Sequence, residues 1–134
     1  MVNRKKLTIF DSNIWIGYFD ELDSNHKKAE KLMASLIASE QSIVISEYIL
    51  LEIATVLKRK VGQERATEII SFLLQIDSVK ILPSSQFFQA TLEEFLALNE
   101  KHLSFVDVSL VVLSADFRIE TFDTKLAKAI IARG

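Results

Sequence analysis

Four carboxylates, Asp11, Glu52, Asp107 and Asp123, stand where folding would gather them. Asp11 closes the apolar run LTIF and is followed by Ser12 and Asn13. Asp123 closes IETF and is followed by Thr124. Glu52 rides in ISEYILLEIATVL, and Asp107 in SFVDVSL. Short apolar runs that stop at turn formers read as strands buried on both faces, the kind found inside parallel sheets. An acid just past such a strand lies at the carboxyl edge of the sheet, where open α/β folds place their ligands. Carboxylates crowded there repel one another and resist ionising. A hard divalent cation, Mg²⁺ or Mn²⁺, offsets the repulsion with oxygen ligands and water alone. The chemistry such a centre supports is phosphodiester hydrolysis: it deprotonates a water, polarises a phosphoryl oxygen and, with a second ion, stabilises the leaving oxygen. No histidine base is required, and neither His26 nor His102 has a sequence context that suggests a catalytic role.

Each acid also has a plainer explanation. Asp11 can make an Asx turn beyond its strand. Asp107 stands three residues after Ser104, the spacing of a capping box. Asp123 can be the N-cap of the last helix, and Glu52 a peripheral helix residue reaching water. It is the order of the four along an alternating chain that favours a common site.

The elements that must position them alternate strand and helix, which predicts an α/β fold with a mainly parallel sheet and helices on both faces. Strands are expected at Leu7–Phe10, 42–45 (SIVI), Val79–Leu82 before Pro83, and 119–122 (IETF). Residues 14–19 form a short helix or extended turn. Ser24 caps a helix to Ser39, Ser46 one to about Lys60, and helices follow over 63–76, from Ser84 or Ser85 to about Lys101, and over 124–132. The segment opening at Ser104 is apolar almost all round, so that helix is buried. On a helical wheel Glu52 falls about 60° from Ile49, at the flank of the buried stripe of Ile49, Leu50, Ile53, Ala54 and Leu57. Tyr48, Leu51 and Thr55 form a second, unpartnered face on that helix, which predicts a symmetric homodimer. His26, Lys27, Lys28 and Lys31 read as a solvated face. Lys58, Arg59, Lys60, Lys125 and Lys128 are the basic residues expected to meet phosphates.

The 134 residues fit one domain spanning 1–134, with 49% hydrophobic and 25% charged residues and only three glycines and one proline. That composition excludes disorder and low-complexity repeats. The absence of cysteine removes disulfides, zinc thiolates and cysteine nucleophiles together. Arg4, Lys5 and Lys6 precede an apolar run, but Asp11 and Asn13 interrupt it too early for a signal peptide, and no stretch approaches the ~18 apolar residues of a membrane span. A soluble, cytoplasmic protein is expected. The net charge of −2 and pI of about 5.7 argue against nucleic-acid binding unless bound cations supply positive charge at the site.

The DSN after the first strand, Glu52 in its helix, SFVDVSL and TFD, in this order, resemble the PIN-domain nucleases, and the chain's length is similar to the VapC-type toxins of toxin–antitoxin pairs in that family. The resemblance spans residue 7 to about 126. It implies a three-layer α/β/α fold with a sheet of four strands, or five, although the chain ends where a fifth would form. It implies metal ligands at Asp11, Glu52, Asp107 and Asp123, with Asn13 and Thr121 in hydrogen-bonding support. It further implies Mg²⁺- or Mn²⁺-dependent endoribonuclease activity on RNA, a homodimer and an inhibiting protein antitoxin. Two other readings compete: a non-cleaving PIN-like RNA-binding or scaffold module, and a housekeeping RNA-processing nuclease of the same fold. A phosphoacceptor or phosphatase using Asp11 as nucleophile is disfavoured, because it would want a second acid near Asn13.

Overall fold

The four apolar runs form β1 (Leu7–Phe10), β2 (Ser42–Ser46), β3 (Val79–Leu82) and β4 (Arg118–Glu120), all parallel, in the order β3-β2-β1-β4. The computed structural model describes residues 7–98 and 102–133. Arg4, Lys5, Lys6 and Lys101, which figured in the sequence reading, lie outside them. Between and after the strands run α1 (Ser12–Phe19), α2 (His26–Ala38), α3 (Glu47–Val61), α4 (Gln63–Leu74), α5 (Phe88–Ala97), α6 (Phe105–Leu113) and α7 (Thr124–Arg133).

The strand order decides where a ligand can sit. The chain steps from β1 to β2 to β3 in one direction, then crosses back to lay β4 on the far side of β1. Parallel crossovers are right-handed, so reversing the direction of travel puts the connecting helices on the opposite face. The helices sort accordingly: α1 packs on α2 and α3, and α3 on α4, whereas α5 packs on α6 and α6 on α7. The result is a three-layer α/β/α fold. Its switch point is the carboxyl edge between β1 and β4, where the two directions of winding leave a crevice.

Packing then fixes which way each helix is turned. Ile49, Ile53 and Leu57 recur at helical spacing on α3 and are fully buried, each contributing about 1.5–3 kcal/mol by leaving water. Their burial leaves Glu52, on the flank, half-buried. On α6, Val108, Ser109, Leu110, Val111 and Leu113 are buried, and Asp107 is half-buried in its first turn.

Several boundaries differ from the sequence expectation, each for a local reason. β4 ends at Glu120, two residues early, because the Asp11 N–H takes the Glu120 carbonyl (2.9 Å) and Thr121 then turns toward the Asp11 carboxylate. α2 begins at His26 with Asn25, not Ser24, at its cap position, because Asp23 captures the Asn25 N–H (2.8 Å) with its side chain and the His26 N–H (3.0 Å) with its carbonyl. The helix expected from Ser84 or Ser85 splits into a 3-10 turn, Ser84–Gln86, and α5, with Phe87 at the break. α4 stops at Leu74, not 76. The described residues contain four strands.

Candidate active site

Asp11 leaves β1 at the switch point and caps α1. It is buried, 5% exposed, and both of its oxygens are engaged: Oδ1 accepts from the Ser12 N–H (2.7 Å) and Oδ2 from the Thr121 hydroxyl (2.7 Å). Burial raises its pKa from 3.8 to about 6. The hydrogen bonds from Thr121 and Ser12 oppose the rise, and the charges of Asp107 and Glu52 add to it. The charges of Glu52 and Asp107, far from Asp11 in sequence, therefore reach it across the crevice.

Glu52 is tied to this point through the next residue along: the Ser12 hydroxyl donates to Glu52 Oε1. Asp107 closes a capping box, taking the Ser104 N–H on Oδ2 (3.0 Å) while its own N–H goes to Ser104 Oγ (3.1 Å). The cap uses one carboxylate oxygen and leaves Oδ1 without a hydrogen bond among the described residues. Asp123 stands at the start of α7, where Oδ1 accepts from the N–H groups of Lys125 (2.9 Å) and Leu126 (3.3 Å). The plainer capping explanations of Asp107 and Asp123 thus describe bonds that are present.

One hydroxyl links the two halves of the site. Thr121 Oγ1 donates to Asp11, and accepts from Asn13 Nδ2 (3.3 Å) and from the Asp123 N–H (3.0 Å). Asn13 Oδ1 in turn accepts from the Phe122 N–H (3.3 Å). The segment from Thr121 to Asp123 is therefore laced to the start of α1. The structure brings together Asp11, Glu52 and Asp107, with Asn13 and Thr121 in the same network. Asp123 joins through Thr121, one residue further out.

Among the described residues no three carboxylates or imidazoles stand at mutual ligating distance. The donor set nevertheless suits a hard cation. All of it is oxygen, and Asp11 is held in a place that resists its own ionisation, which a nearby positive charge would relieve. Mg²⁺ in particular needs only one or two carboxylates and keeps several waters.

Three features escaped the sequence reading. Ser12 was visible as a turn former but not as the donor that holds Glu52. Lys60, expected to meet phosphates, lies in the last turn of α3 and pairs with Asp23 (3.3 Å) and Asp20 (3.9 Å). The 15 residues of α3 carry it about 20 Å along the axis from Ser46, away from the carboxyl edge. Lys28, assigned to a solvated face, lies over the ring of Phe122, with its ammonium 5.1 Å from the ring centroid.

The crevice is thus a switch-point site of an α/β/α domain, lined by acids and laced by hydroxyl and amide groups. The chain belongs to the PIN domain family, whose model matches residues 8–131. Eight solved chains match it. Among them is the crystal structure of Mycobacterium tuberculosis VapC20, described as a Sarcin-Ricin loop cleaving toxin, with a TM-score of 0.78 and 23% identity over 91% of this chain and 94% of that one. No curated protein matches. No helix among the described residues is long and apolar enough to cross a membrane.

Proposed function

We propose that this chain is a metal-dependent endoribonuclease, the toxin of a toxin–antitoxin pair, acting in the cytoplasm. The observation that carries the reading is the convergence of the Glu52 and Asp107 charges on a buried Asp11 at the switch point of a PIN fold. The likeness to VapC20 supports RNA as the substrate class and a protein antitoxin as the inhibiting partner.

In this reading Asp11, Glu52, Asp107 and Asp123 hold one or two Mg²⁺ or Mn²⁺ ions. When bound, such an ion lowers the pKa of a water and neutralises charge on the attacked phosphate. The chain's own groups do the rest. Thr121 and the Ser12 N–H fix the Asp11 carboxylate from two sides, so that its geometry is set before any ligand arrives. Ser12 holds Glu52 over the crevice. Asn13 pins the Phe122 backbone and the Thr121 hydroxyl, keeping Asp123 against the site. Asp107 offers the oxygen that its cap does not use.

The homodimer is proposed on the α3 face. Tyr48, Leu51, Thr55, Val56, Phe105 and Val106 line a shallow groove of about 310 Å³ that Glu52 also borders. Leu51 is 66% exposed. The apolar surface continues through Phe105, which packs on the rings of Tyr48, Phe88 and Phe95. A patch of this kind marks an interface, and here it would seat a second copy beside the acids.

The caps made by Asp107 and Asp123 favour one other reading, a PIN-like module that binds RNA without cutting it. One experiment separates the two: purified protein is incubated with structured and single-stranded RNA in Mn²⁺, Mg²⁺ or EDTA, beside an Asp107→Asn control. Cleavage that requires metal and is lost in the control supports the nuclease. RNA that stays intact in every metal, although bound, would establish the module.

A further inference from the structure

The proposed function leaves open how an acidic chain draws a polyanion to an acidic crevice. Of the basic residues expected to help, Lys60 is engaged by Asp20 and Asp23 away from the carboxyl edge, whereas Lys125 follows Asp123 at the start of α7. Lys28 is tied to the site through an aromatic ring. Lys28, exposed in the first turn of α2, holds its ammonium 5.1 Å from the centroid of the Phe122 ring. Phe122 lies between Thr121 and Asp123, both of which belong to the site. Its backbone N–H is bound by Asn13 Oδ1 (3.3 Å), and the Asn13 amide and the Asp11 carboxylate share the Thr121 hydroxyl. The ring is half-buried and packed against the core, so it cannot swing freely. A long lysine side chain that would otherwise sample many rotamers is thereby restrained beside a ring whose backbone belongs to the site. An ammonium over a ring still has its outward donors to offer a phosphate.

We propose that Lys28 is a substrate contact, binding a phosphate of the RNA next to the scissile one, and that Phe122 is the positioning residue that holds its ammonium there. The strand then leaves the crevice over the β4 edge, across the start of α2. This deepens the ribonuclease reading and rests on it. The contact also places one positive charge where the acids would otherwise repel the incoming backbone, which makes the interaction with RNA salt-dependent at this position.

The test measures binding of a labelled single-stranded RNA of mixed sequence by fluorescence anisotropy, across a salt series in Mg²⁺, with the Asp107→Asn protein as parent so that nothing is cut. Into it go Lys28→Gln, Lys28→Arg, Phe122→Leu and, as a control of equal charge change, Lys80→Gln. Lys80 is exposed on β3, the opposite edge of the sheet. Loss of one phosphate contact on a single strand should flatten the slope of log affinity against log salt by about 0.7 in Lys28→Gln. Lys28→Arg should keep the slope, since arginine also binds over an aromatic face. Phe122→Leu should weaken binding about two- to five-fold, the factor an exposed cation–π contact is worth. Lys80→Gln should match the parent. Equal affinity and equal slope in Lys28→Gln and the parent would overturn the proposal, and cleavage by the otherwise wild-type chain would then show that the ribonuclease reading survives without it. A chain that neither binds nor cuts RNA in any metal would remove both.

Discussion

Replacing Asp11 with asparagine should stabilise the metal-free protein at neutral pH and change little in acid. The folded carboxyl titrates at about 6 against an ordinary 3.8, chiefly because it is buried. Between those values the folded chain holds a proton that the unfolded chain has released, so stability falls as pH rises through this window. The favourable contribution is complete below 3.8 and lost above about 6. Once Asp11 is ionised, the difference corresponds to ~3 kcal/mol of lost stability. Asparagine never ionises, and its oxygen keeps one of the two hydrogen bonds that Asp11 accepts, at a cost of about 1 kcal/mol for the other. The stability of the variant relative to wild type should therefore rise by up to ~3 kcal/mol between about pH 4 and pH 7, from a small deficit in acid to a net gain at neutral pH. Urea unfolding of both proteins in EDTA across this range gives the two curves. Carboxylates that do not face Asp11 contribute equally to both and cancel in their difference; Glu52 and Asp107, which do, can only add to the gain of the variant. A difference that does not change with pH, or an asparagine variant that is the weaker protein at neutral pH, would refute the reasoning.

Asp107→Asn should abolish cleavage while leaving the metal-free melting temperature near that of wild type, because the amide oxygen of asparagine can still accept the Ser104 N–H that closes the capping box. Wild type should gain ~2.7 kcal/mol from Mn²⁺ at a hundredfold excess over its dissociation constant, and the variant less; retained activity with a full metal response would leave Asp107 a cap and nothing more. Thr121→Val removes a hydrogen bond that lowers the Asp11 pKa, so the acid limb of the pH–rate profile should move to higher pH, and an unmoved limb would detach Thr121 from Asp11 in function. Leu51→Glu places a charge in the centre of the proposed dimer face. Sedimentation should show wild type as a dimer and the variant as a monomer, and a monomeric wild type at micromolar concentration would count against the interface.

How much of this was legible in the sequence depends on what each feature rests on. Strands and helices that bury a periodic stripe were readable, because LTIF, SIVI and the Ile49, Ile53, Leu57 series are dictated by local pattern. The parallel sheet followed from the alternation. The order β3-β2-β1-β4 did not, since nothing local tells β4 to cross back beside β1, and it is that crossing which brings Thr121 to Asp11. Boundaries failed where a side chain took over a backbone partner, as Asp23 does ahead of α2. Contacts between residues far apart in sequence, such as Ser12 with Glu52 and Lys28 with Phe122, left no local trace. In the sequence Lys28 is one of three lysines on a polar helix face, and only tertiary packing distinguishes it.

The capping bonds raise the question of whether the acids need any role beyond helix termini, and for Asp11 the magnitudes decide. An N-cap aspartate is ordinarily stabilised as the anion, by the N–H it accepts from and by the helix dipole, each of which lowers its pKa. Asp11 makes that bond to Ser12, and a second to Thr121, yet its pKa stands raised to about 6. Burial beside Glu52 and Asp107 therefore outweighs everything the cap supplies. A cap is worth about 1 kcal/mol, against the ~3 kcal/mol that the ionised group costs here. Asparagine or serine would cap α1 as well without that cost. As a cap alone Asp11 would be a net loss, which a cation in the proposed site would offset. A carboxylate held at such a point, by two hydrogen bonds that fix its orientation, fits the proposed cation site better than a role as helix cap alone.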